Sequence, residues 1–289
     1  AALAAAQLLD PGLPEWVREN CTFPNSMVDR ITPLTSDADR GWLRERAGVE
    51  DAWPVVAEPF RQWVMEDDFA AERPPFEDVG VLYTDRIEDW EQYKLRMLNA
   101  AHSSMAYLCA LSGITFVHEA MAEPAVRTFL DDLLHREAIP TLAEIPAHPP
   151  GDYAASVLSR FANPGVRDQI ARLCIDGSAK FPKFLIPTID RQLEAGGPVE
   201  RAATALAGWA RYLAVVAQGD QAFDADGDAA RRHAIAALED PVAFLEFETV
   251  FPERLRTSSR FRGAFTDGYR RVAGNGAIAA MREHAEASG

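Results

Sequence analysis

Prolines at positions 24, 33, 54, 59, 74 and 75 cut the early part of the chain into pieces too short for long helices. After about residue 88 that punctuation gives way to apolar residues recurring every three or four positions. This change of texture is the strongest constraint on the fold. The stretches "CTFPNSMVDRITP", "AWPVVAEPFRQWVMED" and "VGVLYTD" suit strands and short helices. Beyond them the periodicity predicts helices near 88–112, 114–120, 124–138, 151–161, 165–174, 180–195, 199–217 and 227–237, with one or two more before the end. Pro124, Pro164 and Pro198 fall where first helical turns would begin. The opening "AALAAAQLLDPGLPEW" reads as the middle of a helix, as if the chain began partway through something larger. The expected fold is mainly α: a mixed α/β piece over 1–88, then a multi-helical domain over 89–289.

Composition narrows the function classes. Hydrophobic residues at 48% and charged residues at 25% are those of a soluble globular protein. A net charge of −15 argues against nucleic-acid and anionic-membrane partners, which need a basic surface. No run of about 18 apolar residues offers a membrane span. The chain start lacks the basic segment and cleavage pattern of a signal peptide. Cys21, Cys109 and Cys174 lie far apart in sequence, an odd number with no paired spacing, which predicts free thiols in a reducing cytoplasm. The six histidines form no H-x-x-x-H pattern, and no metal site is expected.

"YKLRMLNAAHSSMAYL" (93–108) sets Lys94, Asn99 and His102 into a helix that apolar residues alone could build. At about 100° per residue, His102 falls about 80° and Asn99 about 140° from Lys94, sharing a face with Leu98 and Met105. An amine withdrawn from water loses its proton more easily and can act as a general base. An amide can donate to an alkoxide, and an imidazole can hold a hydroxyl or relay a proton. Glu91, one turn before Lys94, can carry a proton between that amine and solvent. The plainer alternative is a solvated lysine, a local polar break and a satisfied core histidine.

The segment K-x-x-x-x-N-x-x-H at Lys94, Asn99 and His102 resembles the signature of the polyol-specific long-chain dehydrogenases, the mannitol 2-dehydrogenase and fructuronate reductase family. "TFPNSMVDRITP" (22–33), "AEPFRQWVMEDDF" (57–69) and "RFANPGVRDQIARLCIDGSAKFP" (160–182) resemble further blocks of that family in the same order, and similarity runs through most of residues 1–215.

The resemblance implies that Lys94 is the general base or acid at a secondary alcohol, that Asn99 donates to its oxygen and that His102 orients hydroxyls. Asp29, Arg172 and Asn25 become candidates for substrate contacts, with an ordinary helix salt bridge as the competing role for Arg172. It implies NAD as cofactor, NADP being possible, no metal, and a polyol or ketose substrate; the acidic, helix-rich chain gives no obligate-oligomer signal, so a monomer is expected. The family places a nucleotide-binding βαβ domain ahead of these blocks. Its glycine-rich turn is not seen, and residues 1–88 would be the α/β tail of that Rossmann-type domain, whose missing N-terminal part would be a partner. "GNGAIA" (274–279) has a dinucleotide-like spacing but no strand before it, and is expected to be a plain turn or helix cap. Other readings are a fructuronate- or tagaturonate-type sugar-acid reductase, a mannitol-1-phosphate dehydrogenase relative needing a basic clamp, and a non-catalytic helical binding module. With Arg172 the one obvious arginine, a neutral polyol is favoured over an acid.

Overall fold

The computed structural model describes residues 10–217 and 227–286; the helix expected at the very start falls largely on residues 1–9, outside the described ones. Contacts divide the chain into two compact units. One holds the described residues up to Arg30 together with Pro59–Glu91, the other Ile31–Glu58 and the described residues from Gln92 onward.

In the first unit, helix α1 (Leu13–Asn20) opens with Pro14 in its first turn, where a missing N–H costs nothing. Strand β1 (Ser26–Asp29) pairs antiparallel with β2 (Gln62–Glu66), Met27 opposite Val64. Strand β3 (Leu82–Thr84) runs parallel to β2, giving the order β1-β2-β3. Alternation along β1 turns Met27 and Asp29 inward and leaves Ser26 and Val28 outside.

The second unit begins with helix α2 (Asp37–Ala47), started by a capping box between Ser36 and Asp39 and ended by Gly48 at φ 64°. No residue of α2 is buried. The chain re-enters this unit at Gln92, near the end of helix α3 (Ile87–Tyr93), whose residues up to Glu91 belong to the first unit, and runs through a wider turn, Lys94–Asn99, into α4 (Ala100–Leu111). Residues 100–109 of α4 are all buried, the polar His102, Ser103 and Ser104 among them. Around it run α5 (Val117–Ala122), α6 (Pro124–Asp132), a second wide turn at Leu133–Ala138, α7 (Pro150–Phe161), α8 (Ile170–Leu173), α9 (Gly177–Phe184) and α10 (Ile186–Ala195). Then come α11 (Glu200–Ala217), α12 (Asp228–Ala236), α13 (Glu253–Thr257), α14 (Ser259–Asn275) and α15 (Ala277–Glu286).

The alanine-rich α11 packs on α4 and α14. Gly208 and Gly268 are the points of closest approach: a Cβ added to Gly208 would stand 2.5 Å from Leu108 Cδ2, and one on Gly268 2.9 Å from the Thr204 Cα. Trp209 of α11 is fully buried among Tyr107, Phe181, Phe244 and Phe247.

Three sequence expectations change. The helix read at 165–174 shrinks to α8, because Arg167 takes a left-handed φ of 53° and Pro164 starts a turn instead of a helix. The helix read at 180–195 is two, parted at Leu185 soon after Pro182, which cannot donate to the ladder. Beyond residue 237 the described chain forms α13, α14, α15 and a 3-10 turn at Pro241–Glu246, more than the one or two helices expected. "GNGAIA" is the joint between α14 and α15, with Gly276 at φ 86°.

Candidate active site

Lys94 and Asn99 open and close a π-turn. Its signature is the Ala100 N–H, which donates to Leu95 O, five residues back, as well as to Met97 O. Winding that returns after five residues draws Lys94 and Asn99 toward one face, where the spacing of a regular helix puts them well apart. Lys94 and Asn99 are half-buried, between fully buried Met97 and nearly buried Arg96 and Leu98. His102 follows two residues into α4 and is 8% exposed. Asn99 Oδ1 and His102 Nε2 are both buried and have no hydrogen-bond partner among the described residues. Two such atoms on adjoining turns are uncommon in a folded interior and mark a place built to receive polar groups.

The surroundings of His102 set its charge. Its ring lies flat on Phe161, with centroids 3.8 Å apart and an interplanar angle of 8°. Burial, then the positive charges of Arg172, Arg160 and Lys180, hold its pKa well below the usual 6.5. The imidazole is therefore neutral at pH 7, with one nitrogen to donate and one to accept. Arg172 is held by Asp168 through two contacts of 2.8 and 2.5 Å. Arg160 is held by Glu58, with Nη2 2.7 Å from Oε1 and Nε 3.1 and 3.0 Å from the two oxygens. Glu58 Oε1 also accepts the Ile31 N–H at 2.6 Å, and both side chains of this ion pair are buried. A small cavity with room for about one water lies here, lined by Ile31, His102, Val117, Arg160, Phe161 and Asp168.

In the first unit, Asn25 Nδ2 donates to Glu91 Oε1 at 2.9 Å, so the amide is committed to the carboxylate named as a proton carrier. Asp29 is 1% exposed at the end of β1. The second unit thus brings Lys94, Asn99, His102 and Arg172 into one neighbourhood, and the first brings Asn25 to Glu91. Arg172 carries the helix salt bridge foreseen as its competing role, and its positive charge also bears on His102. Phe161, Arg160, Glu58 and Lys180 were missed as site residues, although each lies inside one of the matching sequence blocks. That membership was the available signal. The pairing of Glu58 with Arg160, 102 residues apart, had none.

Cys109 and Cys174 are free and buried, and desolvation pushes both thiols up to about 12, which leaves them unreactive at neutral pH. Among the described residues no three His, Cys, Asp or Glu side chains come together to hold a metal ion, and no helix is long and apolar enough to cross a membrane.

Residues 86–273 match the mannitol dehydrogenase C-terminal domain and residues 2–78 the mannitol dehydrogenase Rossmann domain. The chain belongs to the mannitol dehydrogenase family. It is 42% identical over 286 residues to a mannitol 2-dehydrogenase of Phaeosphaeria nodorum, covering 98% of this chain and 50% of that relative. The solved Pseudomonas fluorescens mannitol 2-dehydrogenase in ternary complex with NAD and D-mannitol superposes with a TM-score of 0.83 at 37% identity, covering 98% of this chain and 58% of that one. A substrate-free D-sorbitol dehydrogenase gives a TM-score of 0.84 at 33% identity, with 96% and 58% covered. The chain thus spans between half and three-fifths of the length of these mannitol dehydrogenase family relatives.

Proposed function

We propose that the chain belongs to an NAD-dependent oxidoreductase that interconverts a polyol and a ketose, mannitol and fructose being the expected pair. The observation that carries this reading is the pair of buried, unpartnered atoms, Asn99 Oδ1 at the end of the π-turn that Lys94 opens and His102 Nε2 in the helix that follows it. The family relative solved with NAD and D-mannitol supports it. In this mechanism the Lys94 amine takes the proton of a secondary hydroxyl. The Asn99 amide donates to the same oxygen and holds the charge that develops there. His102, neutral, accepts from or donates to the next hydroxyl along the chain of the sugar. Glu91, oriented by the Asn25 amide, passes the proton from Lys94 to solvent. Asp29 and Arg172 contribute further hydroxyl contacts.

Bound NAD supplies the acceptor for the hydride. Among the described residues there is no strand, glycine-rich turn and helix to cradle a pyrophosphate, so no NAD contact is assigned to this chain. Residues 1–88 are assigned to the nucleotide-binding part and 89–289 to the substrate domain. A neutral substrate is favoured over a sugar acid for an electrostatic reason. The two arginines whose charge bears on His102, Arg172 and Arg160, are each already paired with a carboxylate, which leaves little attraction for a substrate carboxylate.

The test is NADH formation from D-mannitol by the intact protein and by its Lys94→Ala variant. Robust turnover by the parent and a loss of several orders of magnitude in the variant are expected. Undiminished turnover by Lys94→Ala would discard the assignment.

A further inference from the structure

Arg96 stands third in the π-turn, between the base and the amide, and is 2% exposed. Its guanidinium reaches out of the turn in two directions. Nε donates to Thr188 Oγ1 of α10 at 3.1 Å, Nη1 donates to Thr141 O at 3.1 Å, and Nη2 donates to Thr141 Oγ1. Thr141 ends the short Ile139–Thr141 turn that continues from the second π-turn. All three acceptors are uncharged, and among the described residues no carboxylate forms an ion pair with Arg96. Burial, with Arg191 adding repulsion, brings its pKa down to about 10.

A buried cation without a counter-charge is costly, and Leu or Met would fill this space with less penalty. What Arg adds is a rigid planar fork whose donors point in fixed directions. A π-turn also needs a reason to exist, since the extra residue breaks the regular ladder and makes the helix locally less stable. Arg96 is that extra residue's anchor. It is tied to two other segments, so the turn cannot rewind into ordinary helix without breaking three hydrogen bonds. Rewinding would swing the Asn99 amide away from the Lys94 amine.

We infer that Arg96 is a positioning residue for the reaction: through Thr141 and Thr188 it holds open the π-turn that presents Lys94 and Asn99 to one substrate oxygen. This rests on the proposed function above. It predicts a defect in chemistry rather than in binding. In the intact protein, Arg96→Met is expected to lower kcat for mannitol oxidation about 100-fold, with the KM for mannitol within about three-fold of the parent. Arg96→Lys keeps the charge but cannot span all three acceptors, and should recover only a small part of the loss. A purely structural role would instead lower the melting temperature and leave kcat per folded molecule unchanged.

Folded Arg96→Met with kcat within two-fold of the parent overturns the inference, as does full rescue by Arg96→Lys. Thr188→Val removes one acceptor and leaves Arg96 in place. It is expected to lower kcat several-fold, and it decides the matter if Arg96→Met does not fold: an unchanged kcat overturns the inference. Lys94→Ala in the same assay separates the two levels. Its inactivity beside a fully active Arg96→Met overturns the Arg96 role alone, whereas normal turnover by Lys94→Ala overturns the underlying function and this role with it.

Discussion

In the proposed mechanism a neutral imidazole at His102 divides the labour: the proton leaves through Lys94, and His102 recognises a hydroxyl without changing charge. Because burial and three cations hold its pKa well below 6.5, the His102 Cε1–H signal is expected to stay flat in an NMR titration from pH 8 to 6. A midpoint near 6.5 would contradict that. The linkage sign follows: the folded pKa is depressed below the unfolded one, so the neutral ring's contribution is fully present above about pH 6.5 and is lost as pH falls below it. Asn99→Ala is expected to reduce kcat by roughly 100- to 1000-fold, the range for removal of one oxyanion donor, and a loss confined to KM would count against its assigned role. At this scale the sequence singled out the candidate residues, because Lys, Asn and His in an apolar stretch are conspicuous. It did not reveal their environment. The ring under His102, Phe161, lies 59 positions away, and the carboxylate that neutralises Arg160 lies 102 away.

Helices with a strong apolar period were legible almost to the residue, as α7 and α11 illustrate against the expected 151–161 and 199–217, whereas the span expected as one helix at 88–112 is α3, a π-turn and α4. The two π-turns were not, because one inserted residue barely disturbs a pattern averaged over several turns. Close approach between α11 and α14 gives a prediction with an internal control. Gly268→Ala puts a methyl 2.9 Å from the Thr204 Cα, a backbone atom that cannot step aside, and is expected to destabilise by about 1–3 kcal/mol. Gly263→Ala lies on the same helix with nothing within 4 Å of its Cβ, and is expected to stabilise by roughly 0.5–1 kcal/mol. Urea denaturation of both variants checks the pair; equal effects would mean that helix propensity outweighs packing at this crossing.

Across the helical unit, a buried polar cluster ties its last helix to its centre. Glu137 accepts the N–H groups of Arg201 and Ala202 at the start of α11, Arg201 donates to Asp132 and to His284 O, and Thr204 bonds His284 Nε2 at 2.8 Å. Burial, then Arg201, lowers His284 to about 4, while burial raises Glu137 to about 7. The signs oppose. His284 withdraws stability as pH falls from about 6.5 toward 4, and Glu137 withdraws it as pH rises from about 4.5 toward 7. The stability difference between the parent and His284→Gln is therefore expected to shrink on acidification from pH 7 to 4, by an amount on the order of 2–3 kcal/mol. A difference independent of pH would show that His284 is not neutral in the folded protein. The ion pair of Glu58 with Arg160 has its own consequence for how the molecule comes into being. The chain leaves its first unit after Arg30, returns at Pro59 and leaves again after Glu91, so neither unit is made of one continuous piece. During synthesis the 31–58 segment must wait for some hundred further residues before Arg160 emerges to receive it. Its docking is a late, long-range closure, and until then Glu58 is a carboxylate without the guanidinium that receives it in the folded chain.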